Sequence, residues 1–170
     1  IEKAMGYVRS RGKSLFAEGS ERNAVIRNIK KYGMIPYRVY SGLPKGQPNH
    51  DHRRLFKELK AFLKGIKAAN NWNPEYVKST IKSILNHHIG SPPTQFKWKG
   101  KTYTPKQFYK NYMKLDMDNY VTFLSYLQKP YYQQVEYQVP DNWWHDATYY
   151  NIPLDVFMNT LKKVVKAGYT

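Results

Sequence analysis

The sequence contains no cysteine among its 170 residues. This absence excludes disulfide bonds, thiolate zinc sites and a cysteine nucleophile within these residues, but it leaves the redox compartment undecided. Long apolar runs are also missing, because Lys, Asp or Asn interrupts each run after a few residues. A helix that crosses a bilayer needs roughly 20 apolar residues in succession, so the sequence predicts no membrane span.

Acidic residues are few: 12 Asp and Glu stand against 28 Lys and Arg, for a net charge of +16. Such a balance produces a positive field that attracts nucleic acid, anionic lipid or an acidic protein partner. The same balance is typical of a protein kept soluble by its lysines, or of a segment whose acidic counterparts lie elsewhere in a longer chain. The charge therefore constrains the partners more than the chemistry.

Enough apolar material is present for a core, since 41% of the residues are hydrophobic. Helix signals come first: Ile1 to Ser10 is typical of the end of a helix that begins upstream. A second helix is predicted over residues 21–32, with Ser20 as its cap, Gly33 as its end, and a buried stripe of Val25, Ile26 and Ile29.

Residues 35–48 hold three prolines and two glycines, which predicts an ordered loop. Beyond this loop, two amphipathic helices are predicted, the second opened by Asn73 as cap and Pro74 in the first turn. Their apolar stripes are Leu55, Leu59, Phe62 and Ile66 in the first, and Val77, Ile81, Ile84, Leu85 and His88 in the second. We expect the two helices to pack as an antiparallel pair.

The second half mixes strand and helix signals. Alternation over residues 96–103 predicts a hairpin that turns at Gly100, and Thr104 with Pro105 starts a brief helix. Residues 120–126 and 131–139 are strand candidates. A last helix enters at Pro153 and ends at Gly168, with an apolar stripe of Leu154, Phe157, Met158, Leu161, Val164 and Val165. The predicted fold class is α+β, mainly helical.

Aromatic residues alternate with lysines from Phe96 to Lys99, an order that suits base stacking with phosphate neutralisation. On a half-buried hairpin the same order simply places aromatics inward and lysines outward, and this interpretation is favoured. No recognised nucleic-acid motif accompanies the charge, so a nucleic-acid partner is not expected.

Polar clusters give no self-contained active site. His50, Asp51 and His52 offer metal ligands, but a capping or loop role is favoured because no third ligand is identified. The adjacent His87 and His88 point about 100° apart on a helix and do not share one metal easily. His145 with Asp146, and Asp116 with Asp118, lack a nucleophile motif. We expect no metal and no cofactor.

Three stretches carry a family resemblance. Residues 16–40 (FAEGSERNAVIRNIKKYGMIPYRVY), 41–55 (SGLPKGQPNHDHRRL) and 149–170 (YYNIPLDVFMNTLKKVVKAGYT) resemble papain-like cysteine peptidases of the bleomycin hydrolase or aminopeptidase C type. The resemblance implies that residues 1–48 belong to the helical half of a papain-like domain and residues 141–170 return to it. Residues 49–140 then form a large insertion that holds the helical pair, the hairpin and short strands.

The resemblance also implies what this segment holds of the site. The family's catalytic Cys is expected upstream of Ile1, and its His and Asn beyond Thr170, so no catalytic residue is assigned here. Gly19 and Ser20 match two small residues whose backbone pairs with an extended substrate, although Ser20 stands where Gly is usual. Glu18 is a candidate for holding a substrate amine or for capping the next helix.

The leading hypothesis is a segment of a cysteine-type peptidase, an aminopeptidase or oligopeptide hydrolase, that supplies scaffold and part of the substrate groove. Peptide substrate, and a protein partner or a second copy of the chain, are the expected partners. The alternatives are an inactive papain-like scaffold in a binding or assembly role, and a basic nucleic-acid-binding module. The similarity to bacterial secreted members favours an extracytoplasmic location, in the periplasm or at the cell surface.

Overall fold

A computed structural model describes residues 1–44 and 46–169 of the chain. Helices and short strands alternate along it, in keeping with the predicted α+β class. In chain order the elements are α1 (Glu2–Arg9), α2 (Asn23–Tyr32), α3 (Arg53–Ala68), α4 (Pro74–Ile89), β1 (Phe96–Trp98), β2 (Lys101–Tyr103), α5 (Pro105–Gln107), a π-helical stretch (Phe108–Met113), a 3₁₀ turn (Met117–Asn119), β3 (Thr122–Leu124), β4 (Gln133–Val135), β5 (Tyr149–Asn151) and α6 (Leu154–Lys166).

The chain divides into two compact units. The first unit joins Ile1–Glu18 to Met34–Pro105, and the second joins Gly19–Gly33 to the chain from Lys106 onward. No helix among residues 1–44 and 46–169 is long and apolar enough to span a membrane.

The first unit has a helical core. Helix α4 packs against both α1 and α3, because each helix presents apolar residues at spacings of three and four. The buried cluster consists of Ala4, Val8, Leu55, Leu59, Leu63, Ile66, Val77, Ile81 and Ile84. The predicted stripes of α3 and α4 are therefore the core, with Leu63 fully buried where Phe62 is only partly so.

The predicted start of α4 is confirmed in atomic detail. The side chain of Asn73 accepts hydrogen bonds from the backbone N–H groups of Glu75 and Tyr76, and Pro74 occupies the first turn. Glu58, in the first half of α3, contacts His88 near the end of α4 at 2.7 Å. Because the first half of α3 contacts the end of α4, the two helices run antiparallel, as expected.

The hairpin β1–β2 also forms as predicted. Phe96 pairs with Tyr103 and Trp98 with Lys101, and Lys99 and Gly100 turn the chain with φ of 47° and 79°. Two successive positive φ angles match the right-handed twist of the strands. Phe96 is buried and Lys97 is exposed, so the alternation has its ordinary half-buried explanation.

The second unit contains a three-stranded mixed sheet in the order β3–β5–β4. Strand β5 runs parallel to β3 and antiparallel to β4. The predicted strands at 120–126 and 131–139 are confirmed as the two edges, while the central strand β5 was not predicted. Its sequence Tyr-Tyr-Asn includes Asn151, a residue type that is uncommon in strands.

Two buried asparagines hold the loops of this unit. Asn151 Nδ2 lies 2.9–3.1 Å from the carbonyl oxygens of Tyr126, Lys129 and Pro130, and its Oδ1 accepts from Tyr126 N. Asn142 Nδ2 donates to the carbonyls of Tyr137 and Asp146. In these irregular loops the backbone carbonyls have no strand partner, and the two asparagine side chains supply their hydrogen bonds instead.

Two expectations about α2 are wrong. The helix begins at Asn23 and not at residue 21, with Arg22 at the cap position and no side-chain cap hydrogen bond. Its Val25 is 58% exposed, and the buried positions are Asn23 and Ala24. The predicted last helix is confirmed as α6, with Pro153 at its cap position, and none of its residues is buried.

Candidate functional site

Gly19 occupies a position that only glycine fits. Its φ is +93°, and a Cβ atom added there would lie 3.0 Å from Asp141 Oδ2. The chain approaches this closely because Glu21 N donates to the Asp141 carbonyl at 3.2 Å. Gly19 is nevertheless exposed, so its backbone is both fixed in conformation and accessible.

Ser20 faces an aromatic stack and does not cap α2. Its Oγ accepts a hydrogen bond from Trp143 Nε1 at 3.3 Å. Trp143 stacks on Trp144 with ring centroids 3.8 Å apart, and the Arg27 guanidinium lies 4.9 Å from the centre of the Trp144 ring. The hydroxyl that departs from the family's usual Gly therefore has a structural partner in this chain.

Glu18 belongs to the first unit, whereas Gly19 and Ser20 belong to the second. Its carboxylate lies 3.3 Å from His52 Nδ1. It does not cap α2, since that helix has no side-chain cap. The assignment of Glu18, Gly19 and Ser20 to substrate binding stays a prediction, as do the proposed domain limits.

Residues 141–144 form part of the surroundings of Gly19 and Ser20, and sequence reasoning missed them. Asp141 and Trp143 contact the predicted pair, while Asn142 is buried between them and hydrogen-bonds Asn23 of α2. The sequence did contain a signal for this region. Two adjacent tryptophans follow Asp141 and Asn142 outside any predicted helix or strand, and tryptophan is enriched at binding surfaces.

Tyr149 stabilises the same region from β5. Its hydroxyl lies 3.5 Å from Glu21 Oε2. Burial, together with the nearby negative charge of Glu21, raises the pKa of Tyr149 to about 12. The phenol therefore remains protonated at neutral pH and keeps its hydrogen to donate.

The other polar clusters have structural partners. His145 Nδ1 contacts Glu136 Oε1 at 2.7 Å and not Asp146, while Asp146 accepts from Thr148. Asp116 accepts from Asp118 N at the start of the 3₁₀ turn, and Asp118 pairs with Lys30. Asp51 accepts from Arg53 N in the loop before α3, whose cap residue His52 makes no side-chain cap hydrogen bond.

Within residues 1–44 and 46–169, no group of three or more His, Asp or Glu side chains lies close enough to hold a metal ion. The arrangement around Gly19 places an exposed length of backbone beside a carboxylate and an indole.

The overall fold is that of a papain-like peptidase. The crystal structure of PepW from Lactobacillus rhamnosis HN001 superposes with a TM-score of 0.61 at 19% sequence identity, covering 99% of this chain and 45% of PepW. Residues 14–170 match the model of the Peptidase C1-like family. The chain belongs to that family.

Curated relatives agree with this assignment. Aminopeptidase C of Lactococcus lactis subsp. cremoris is 24% identical over 176 residues, which cover 90% of this chain and 40% of the relative. Aminopeptidase C of Streptococcus thermophilus is 24% identical over 178 residues, covering 89% of this chain and 39% of the relative. The chain thus spans about 40% of the length of the curated relatives it matches.

Proposed function

We propose that this chain is a segment of a cysteine-type peptidase, an aminopeptidase or oligopeptide hydrolase, and that it supplies scaffold and part of the substrate groove. The observation that carries the proposal is Gly19, which is exposed, held at a positive φ and packed against a carboxylate. Membership of the Peptidase C1-like family supports the chemistry. The nucleophile of this chemistry is a thiolate, which the parent protein supplies from outside these residues.

The binding mode follows from the surroundings of Gly19. An extended peptide pairs its backbone with a length of chain that no side chain obstructs, and Gly19 provides such an approach. The Asp141 carboxylate beside it is suited to a positively charged group, such as the free amine at the start of a peptide. This charge supports an aminopeptidase over an enzyme that cuts blocked peptides.

We also propose an extracytoplasmic location for the parent, in the periplasm or at the cell surface, because residues 41–55 resemble bacterial secreted members of the group. A second copy of the chain or another protein is the proposed assembly partner, since the exposed apolar face of α6 suits association.

The proposal is tested by Gly19→Ala in the full parent protein. We expect kcat/KM for a dipeptide amide with a free amine to fall by about tenfold or more, because the added Cβ meets Asp141 and the positive φ becomes strained. Steady-state hydrolysis is measured with that substrate and with its N-acetylated counterpart, which is expected to be the poorer substrate of the unmodified protein.

Gly100→Ala is the matched control, since Gly100 has a φ of +79° and nothing within 4 Å of an added Cβ. Equal kcat/KM for the two variants would show that Gly19 does not line the substrate groove. Activity that survives alkylation of the parent's thiols would overturn the cysteine-peptidase assignment, and a parent with no hydrolytic activity would favour the binding-scaffold alternative.

A further inference from the structure

A cavity of about 770 Å³ in the first unit gathers most of the chain's histidines. It lies between the segment from Gly42 to Leu55 and the end of α4. Four of the five histidines line it, namely His50, His52, His87 and His88. Neither the groove residues nor the packing of the helical core accounts for this concentration.

The walls of the cavity are fastened to each other. The Tyr40 hydroxyl lies 2.9 Å from the carbonyl oxygen of Ile89 and 3.1 Å from that of Gly90, which ties the loop to the end of α4. Gly42 continues this contact, since an added Cβ there would meet His50 and Ile89 at ordinary van der Waals distance. The histidines on the two walls therefore face a common space.

The imidazole rings lie in close pairs. The His50 and His52 ring centroids are 5.6 Å apart, and those of His87 and His88 are 5.1 Å apart. Two imidazolium ions at such a separation repel each other, and a bound anion relieves the repulsion. Histidine is the side chain that commonly gains its proton between pH 8 and pH 5. Acidification is therefore expected to increase the affinity of these pairs for an anion.

Fixed charges surround the histidines. Asp51 forms an ion pair with Arg53 at 2.7 Å, and the hydrogen bonds from Arg53 hold the pKa of Asp51 well below its usual range. Glu18 contacts His52 at 3.3 Å and Glu58 contacts His88 at 2.7 Å. Arg54, on the first turn of α3, also lines the cavity, and its charge adds to the lowering of the Asp51 pKa.

The positive charge of the cavity lining increases with protonation. Among the lining residues that the structure describes, Arg53 and Arg54 outweigh Asp51 by one positive charge when the four imidazoles are neutral. Four imidazolium ions bring the same lining to five net positive charges, while Glu18 and Glu58, which do not line the cavity, pair with His52 and His88. Such a change strengthens the attraction for a divalent anion in acid.

We propose that this cavity is a binding site for a small divalent oxyanion and that its affinity rises on acidification. His50 and His87 supply the pH-dependent part, because within residues 1–44 and 46–169 it is His52 and His88 that pair with carboxylates. Arg54 supplies a part that does not depend on pH, since guanidinium stays charged throughout this range. A phosphate-type ligand and a dicarboxylate both carry the two negative charges and the oxygen acceptors that this site requires.

Calorimetric titration of the full parent protein tests the proposal at about pH 7.5 and about pH 5.5, at constant ionic strength. The probes are sulfate and oxalate, which both remain divalent at the two pH values, so that any change in affinity belongs to the protein. We expect the affinity for at least one probe to increase about tenfold in acid. Binding of sulfate alone would indicate a tetrahedral ligand, and binding of oxalate alone a dicarboxylate.

Variants separate the two contributions. The double change His50→Asn and His87→Asn should reduce the pH effect to less than about threefold, and Arg54→Gln should weaken binding at both pH values. Both histidines are exposed, so the fold tolerates the change. His145→Asn is the matched control, because that histidine lies outside the cavity. Equal affinity at both pH values, or no binding of either probe, would overturn the proposal.

Discussion

The two compact units hold themselves together by different means. In the first unit, leucines, isoleucines and valines from α1, α3 and α4 form one buried cluster. In the second unit, buried asparagines bond irregular loops, and the longest helix, α6, buries none of its residues. Apolar burial therefore dominates the stability of the first unit. The second unit adds specific hydrogen bonds in its loops to the burial of smaller apolar groups, among them Phe108, Val135 and Ile152.

This difference explains why one unit was easier to predict than the other. A helix that packs on a helix must repeat its apolar residues every three or four positions, and that repeat is visible in a single sequence. A side chain that bonds the carbonyls of a distant loop leaves no periodic trace. The comparison can be tested by changes of the same chemistry placed in each unit.

The largest effect is expected from Leu63→Ala. Leu63 is 2% exposed at the centre of the helical cluster, and removal of a buried leucine side chain costs about 2–5 kcal/mol through lost burial and the cavity left behind. Chemical denaturation measures the loss in the free energy of unfolding.

Leu161→Ala is its counterpart on α6, where the side chain is 47% exposed. We expect a loss below about 1 kcal/mol, because little apolar surface leaves water at this position. Equal losses at the two leucines would show that α6 is covered to the same degree as the helical core, and the contrast between the units would fail.

An intermediate effect is expected from Asn151→Ala. The change leaves Tyr126 N and the carbonyls of Lys129 and Pro130 without their partner, and buried groups in that condition cost roughly 1–3 kcal/mol. The Tyr126 amide, whose hydrogen bond to Asn151 is 2.8 Å long, should exchange with solvent faster than before. Hydrogen exchange followed by NMR measures this rate.

Asn28→Ala provides the comparison, since Asn28 is exposed on α2 and the same atoms are removed there. We expect no loss of stability at Asn28, because alanine is the better helix former. Unchanged protection of the Tyr126 amide in Asn151→Ala would mean that the loop is held by other contacts.

The sequence predicted the helices of the first unit because each signal was local. The Asn73 cap and the Leu55 to Ile66 stripe depend on residues within a few positions of each other, and both are confirmed. Ser20 also had the right local chemistry for a cap, but its hydroxyl bonds Trp143 instead. A distant partner overrode the local preference.

The site was predictable only in part for the same reason. Resemblance pointed to Gly19, but the physical cause that requires glycine there is the carboxylate of Asp141, which is remote in sequence. Strand β5 was missed because it contains Asn151, whose side chain bonds a distant loop and whose residue type is uncommon in strands. For α6, periodicity identified which face is apolar, yet nothing in a periodic pattern states whether another layer covers that face.

The most closely matched comparison comes from one substitution made at two valines. Val77 in α4 is 0% exposed and Val165 in α6 is 59% exposed, and valine and threonine have similar shapes and helix propensities. Val77→Thr places a hydroxyl in the apolar cluster and should cost about 1–3 kcal/mol. Val165→Thr should change the free energy of unfolding by less than about 0.5 kcal/mol, because its hydroxyl stays in water. The two values, measured by urea denaturation under the same conditions, isolate burial from every other property of the side chain. A cost at Val165 that matches the cost at Val77 would mean that the apolar face of α6 is covered in solution, and that the second unit depends on apolar burial as much as the first.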